Sequence, residues 1–112
     1  MRDNIAGGAL TETTFLVLLS TYIPNHGYGI MQFIERETDG RVVLGAGSLY
    51  GAINTLQKKK WIMPMGNEVP GSNKKEYVIS DLGRQIAENE IKRISQISDI
   101  AAKITKKVGD SK

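Results

Sequence analysis

The carboxy-terminal quarter of the chain limits the fold more than any other feature. From about Asp81 to about Val108, Ile91, Ile94, Ile97, Ala101, Ile104 and Val108 recur at steps of three and four residues, the spacing that stacks side chains on one face of a helix. A helix of about 27 residues extends about 40 Å, more than a domain this small can cover with its own body. The apolar stripe therefore needs a second surface. Lys92, Arg93, Gln96, Lys103 and Lys106 fall elsewhere on the wheel, which suits a partner helix in a homodimer; folding back onto its own domain is the competing arrangement. Glu90 breaks a strict heptad, so ordinary helix packing is expected rather than a long regular coiled coil.

Upstream, the pattern predicts three shorter helices and a hairpin. Leu10 to Ile23 carries Phe15, Leu18, Leu19, Tyr22 and Ile23 on one face, with Thr11 as cap and Pro24 as stop. Tyr28 to Thr38 sets Ile30, Met31, Phe33 and Ile34 against Gln32, Glu35 and Arg36, and Gly40 ends it. Val42 to Leu44 has strand character, and Ser48 is the expected N-cap of the third helix. After Ile62, "MPMGNEVPGSNKKEYVIS" reads as two extended segments around a polar, basic loop with Gly66, Pro70 and Gly71.

The third helix separates into two faces. Leu49, Ile53 and Leu56 gather on one side; Tyr50, Gly51, Asn54, Thr55 and Lys58 gather on the other. A glycine on an exposed helical face costs about 1 kcal/mol against alanine, so propensity does not choose it. It does let a backbone approach another molecule closely. Asn54 has the donor and acceptor for a base edge, Thr55 suits a thymine methyl or a phosphate, and Tyr50 and Lys58 reach phosphates. An ordinary solvated face with a neutral glycine is the other reading of this helix alone. Two helices joined by a short connector and followed by a hairpin bearing Lys74 and Lys75 add up to a winged helix-turn-helix, in which those lysines meet phosphate.

Other classes of function fit poorly. The chain has 112 residues, no cysteine and a formal net charge of +3, so disulfides, thiolate nucleophiles and cysteine-ligated zinc are excluded, and the charge is mildly favourable to an anionic partner. The sole histidine, His26, lies in a turn and is expected at a helix start rather than in catalysis. "GRVVLGAG" has Ala46 and Gly47 where a phosphate loop requires Lys and Ser or Thr, and "GAGSLYG" lacks dinucleotide spacing. No enzyme activity, cofactor or metal is expected. The longest apolar run, Phe15 to Leu19, is too short for a membrane span, and no basic-then-apolar signal pattern opens the chain, so a cytoplasmic protein is expected.

Three stretches, "HGYGI", "GSLYGAINTLQKKKWI" and "KKEYVISDLGR", resemble the PadR family of bacterial winged-helix transcriptional regulators, over about Leu10 to the end. The resemblance implies a homodimer on a roughly palindromic promoter operator, usually a repressor, released in many members by a small-molecule effector. It assigns recognition of double-stranded DNA to Ser48, Tyr50, Gly51, Asn54 and Thr55, wing contacts to Lys74 and Lys75, and a backbone phosphate to Tyr28, with burial as that tyrosine's competing role. Lys60 stands where the family commonly ends this helix with glycine, so the helix end is expected to be lengthened or strained. No tryptophan occurs in the last helix, where some members stack planar ligands. The expected fold is mostly α with a small two-stranded wing: a winged helix-turn-helix over residues 1–80, and a dimerisation helix of the short family form over residues 81–112. A winged-helix adaptor for another protein, touching it through the third helix and Trp61, is the alternative. A small-molecule carrier, with a pocket between the long helices of a dimer, is a third.

Overall fold

The computed structural model describes residues 8–65 and 75–110. In chain order the elements are α1 (Glu12–Ser20), β1 (Asn25–His26), α2 (Gly27–Glu37), α3 (Ala46–Lys58), β2 (Ile62–Met65), β3 (Glu76–Ile79) and α4 (Asp81–Asp110). The strands form one antiparallel sheet in the order β1-β3-β2, with Ile62 opposite Ile79 and Asn25 opposite Tyr77. The two wing strands stand as expected. The two-residue β1, too short for any periodicity to announce it, adds a third strand.

Thr11 does cap α1, its Oγ1 accepting the Thr14 N–H at 3.1 Å. The helix stops at Ser20 rather than Ile23 because Thr21 is drawn toward the sheet: its carbonyl accepts the Ile79 N–H at 2.8 Å. Ile23, expected on the inner face, is exposed, while Val17 and Thr21 are fully buried. His26 opens α2, its Nδ1 accepting the Gly29 N–H at 3.1 Å. That helix closes with Asp39 (φ 52°) and Gly40 (φ 78°) both left-handed, the Gly40 N–H reaching the Glu35 carbonyl at 2.8 Å.

Val42 to Leu44 forms no strand. Its backbone turns instead to Thr38, whose Oγ1 accepts the Val42 N–H at 3.1 Å. Gly45, not Ser48, is the N-cap of α3, because the Gly45 carbonyl already accepts the Leu49 N–H at 3.0 Å; Ser48 lies within the first turn. Leu49, Ile53 and Leu56 are buried as expected and join Val17, Leu18, Ile30, Ile34, Ile62, Tyr77, Ile79 and Ala87 in one core. Full burial of each large aliphatic side chain is worth about 1.5–3 kcal/mol, enough to hold three short helices that would be marginal alone.

Lys60 does not lengthen α3. It adopts φ 63°, with its N–H on the Gln57 carbonyl at 3.0 Å and the Trp61 N–H on the Leu56 carbonyl at 3.0 Å, the bond pair that usually recruits glycine. A side chain in that conformation costs about 1 kcal/mol.

α4 has 30 residues. Its first three turns lie on the body through Gly83, Ala87 and Glu90. Glu90 is only 5% exposed; it accepts the Arg93 Nε–H at 2.9 Å and the Leu10 N–H at 3.3 Å, so the residue that spoils the heptad is the one that pins the helix inward. The Arg93 guanidinium holds its carboxyl below the usual carboxylate range despite burial. Beyond Glu90 the helix leaves the body, giving the molecule a long axis of 65 Å. Among the described residues, no helix is long and apolar enough to cross a membrane, and no group of three or more acidic or histidine side chains could hold a metal.

Candidate nucleic-acid interface

The residues singled out on α3 all reach the surface: Ser48, Tyr50, Gly51, Asn54, Thr55 and Lys58 are exposed. A Cβ built on Gly47 or Gly51 would meet no atom within 4 Å, so the middle of this face is bare backbone in open space. No side chain caps the first turn of α3 either, leaving its N–H groups turned outward with the positive end of the helix dipole. The combination is a shallow, polar ridge that admits close approach by an anion-bearing surface.

Tyr28, at the start of α2, is 63% exposed, which decides against burial as its role. The structure also shows why α2 begins "GYG". Gly27 is buried because the Tyr50 hydroxyl occupies the space that a Cβ at Gly27 would need, and Asn25 Oδ1 does the same beside Gly29. Tyr50 thus wedges α3 against the first turn of α2. It also lies near the buried Tyr77 of β3, whose phenol is pushed up chiefly by burial and secondarily by Tyr50. Periodicity predicts only the outward role of Tyr50 and does not reveal Gly27 as its seat; the paired glycines around Tyr28 are the available signal.

Thr55 sits on the other flank. Its Oγ1 donates to the Gly51 carbonyl at 3.1 Å, and it lines a cleft of about 540 Å³ with Leu10, Lys59, Trp61, Glu90 and Arg93. Thr55 is thus shared between the exposed face of α3 and this cleft. Lys59 stands over the Trp61 ring at 5.1 Å, so its ammonium is engaged by that ring. Lys75 is exposed immediately before β3, and Lys74 lies outside the described residues. The dimerisation residues expected from sequence are exposed as a continuous apolar stripe: Ile91, Ile94, Ile97, Ile104 and Val108, with Ala101 among them and Ile100 added by the structure, the large ones between 42% and 60% exposed.

Comparison with known proteins settles the family. The profile described as "Transcriptional regulator PadR-like family" matches residues 15–89, well over half of the chain. The chain belongs to the PadR-like family of transcriptional regulators. A 37.1 kDa protein in transposon TN4556 of Streptomyces fradiae is 32% identical over 75 residues, which is 67% of this chain; the chain spans about a fifth of that relative's length, 20%. Among solved structures, a transcriptional regulator from Clostridium thermocellum superposes with a TM-score of 0.70 at 22% identity, over 88% of this chain and 94% of that one. A PadR family regulator from Eggerthella lenta gives 0.69 at 18% identity, over 82% and 80%. PadR of Bacillus subtilis in complex with operator DNA gives 0.63 at 18% identity, over 72% of this chain and 47% of that one. At these identities the likeness establishes the winged-helix fold with its carboxy-terminal helix, and the PadR-like chain described here shares it.

Proposed function

We propose that this PadR-like protein is a homodimeric, sequence-specific DNA-binding regulator, acting as a repressor at a promoter operator. The bare ridge of α3 carries this reading. Gly47 and Gly51 leave open space where any other residue would stand off a partner, and Asn54 is exposed beside them with a base-reading amide. In this reading α3 enters the major groove, Asn54 reads base edges, and Tyr28, Tyr50 and Lys58 hold the flanking phosphates. Lys74 and Lys75 add wing contacts to the backbone, Ser48 and Thr55 lie at the groove's rim, and the α4 stripe pairs two chains. That a PadR homologue was crystallised with operator DNA supports the DNA partner.

The test is binding of the purified chain to the DNA upstream of its own coding sequence, against random DNA of equal length, across a salt series. A preference of about a thousandfold near physiological salt is the expected result. Binding that is equal on both and erased by salt would instead favour the protein-adaptor function.

A further inference from the structure

α3 and α4 are joined by hydrogen bonds as well as by packing, and the Ser80 side chain stands at the centre of the joint. Ser80 immediately precedes α4, and its Oγ accepts the Gly83 N–H at 3.0 Å, capping that helix. The same hydroxyl faces two carbonyls at the end of α3, donating to Lys60 at 2.7 Å and lying 3.1 Å from Trp61. The Ser80 N–H also donates to the Trp61 carbonyl, at 2.9 Å, while the Trp61 N–H returns to Leu56 inside α3 at 3.0 Å. A continuous chain of hydrogen bonds thus runs from the last turn of α3 to the first turn of α4. Gly83 closes the joint: a Cβ there would collide with the Trp61 carbonyl, so α4 lies directly against the backbone that ends α3. Lys60 is held left-handed at the centre of the joint, with its carbonyl turned to Ser80.

We infer that Ser80 is a positioning residue for operator recognition, fixing the angle between the recognition helix and the dimerisation helix and so the half-site spacing that the dimer accepts. Leverage gives the joint its importance. Glu90 holds α4 at its third turn and Ser80 holds its base, so the two together set the direction of a helix about 45 Å long. A change of about 5° in that direction moves its tip by about 4 Å, close to the rise of one base pair. A soft joint would let the two recognition helices drift by a base pair; a joint built from backbone carbonyls and one hydroxyl does not. This inference rests on the dimeric DNA-binding reading above.

The test uses the full chain. A half-site is first selected by the wild-type protein from a random-sequence pool, and duplexes carrying two copies are then made with spacing varied by single base pairs around one turn of DNA. Wild type is expected to favour one spacing over its neighbours by about tenfold, within the usual range of coupling between two elements. Ser80→Ala is expected to reduce that preference to about twofold while leaving affinity for random DNA and its salt slope unchanged. Ser80→Thr, which keeps the hydroxyl, should restore it. Ser80→Asp retains a capping acceptor for α4 but has no proton for Lys60 or Trp61; it should fold with full helix content and still lose the preference, which separates the joint from helix capping. A wild-type spacing profile in Ser80→Ala and Ser80→Asp would overturn the inference and leave the dimeric regulator standing. A wild-type protein indifferent to spacing would overturn both.

Discussion

The outer face of α3 and the distal face of α4 are both open to solvent in the single chain, yet their chemistry is opposite. On α3 the exposed positions are small, polar or basic, with bare glycine at the centre. On α4, beyond Glu90, the exposed positions include six large aliphatic side chains in register. Water stabilises the first and opposes the second, so only the second demands a partner for stability. If that partner is a second copy, substituting the stripe has the largest expected effect. Ile97→Asp with Ile104→Asp removes two aliphatic contacts from each chain, each worth about 1.5–3 kcal/mol when buried, and places charges between the helices. Sedimentation equilibrium should show a monomer, and specific DNA binding should fall by about a hundredfold or more, with affinity for random DNA less affected. A variant that remains dimeric would remove α4 from the interface.

Within α4 itself the near and far thirds differ in the same way, and Glu90 marks the change. Its carboxylate ties the helix to the N–H of Leu10 and is held ionised by Arg93. Because its pKa is lowered in the folded chain, the stabilisation is present in full above the usual carboxylate range and disappears as pH falls through the folded-state value. Glu90→Gln removes a charge-assisted interaction and should lower stability at neutral pH, by less than a fully buried pair would because the Arg93 guanidinium is partly open to solvent. Urea denaturation across the acid range should show the wild type and the variant converging at low pH. A constant difference at every pH would mean that packing, not the ion pair, fixes this turn.

On α3 the comparison is between a side chain that reads and side chains that hold. Asn54→Ala should reduce discrimination between operator and random DNA by about 1–3 kcal/mol while sparing affinity for random sequence. Lys58→Ala and Lys75→Ala should weaken both alike, each lowering the salt slope by about one. Competition binding at two salt concentrations distinguishes the patterns. Equal losses on both DNAs for Asn54→Ala would end its base-reading role.

How legible these faces are from sequence depends on the range of the forces that shape them. The α4 stripe and the split of α3 into Leu49, Ile53 and Leu56 against Tyr50, Asn54 and Lys58 follow from periodicity, which is local, and both are readable. The end of α1 is not, because the Ile79 N–H that takes the Thr21 carbonyl lies in a strand far along the chain. Val42 to Leu44 has the composition of a strand but finds its hydrogen bonds in Thr38. Ser48 is a good capping residue one turn too late, since the Gly45 carbonyl already accepts the Leu49 N–H and the helix has begun before Ser48 is reached. Glu90 reads as a flaw in a heptad and is a buried anchor, a distinction that exists only once Leu10 and Arg93 are placed beside it. The seat of Tyr50 over Gly27 is of the same kind.

The smallest expected effect is the sharpest test of what the α3 face is for. Gly51 lies mid-helix, exposed, with no atom within 4 Å of the place an alanine methyl would take. Gly51→Ala therefore meets no clash within the chain and should stabilise the fold by about 0.5–1 kcal/mol through reduced backbone entropy, read as a higher midpoint in urea. If the ridge sits in a groove, the same methyl meets DNA, and affinity for the operator should fall even as stability rises. Opposite signs in the two measurements would show that the glycine serves contact rather than folding. A variant that is more stable and binds equally well would place the DNA farther from the helix than van der Waals distance, and the bare ridge would then be an ordinary solvated face with only its flanks at work.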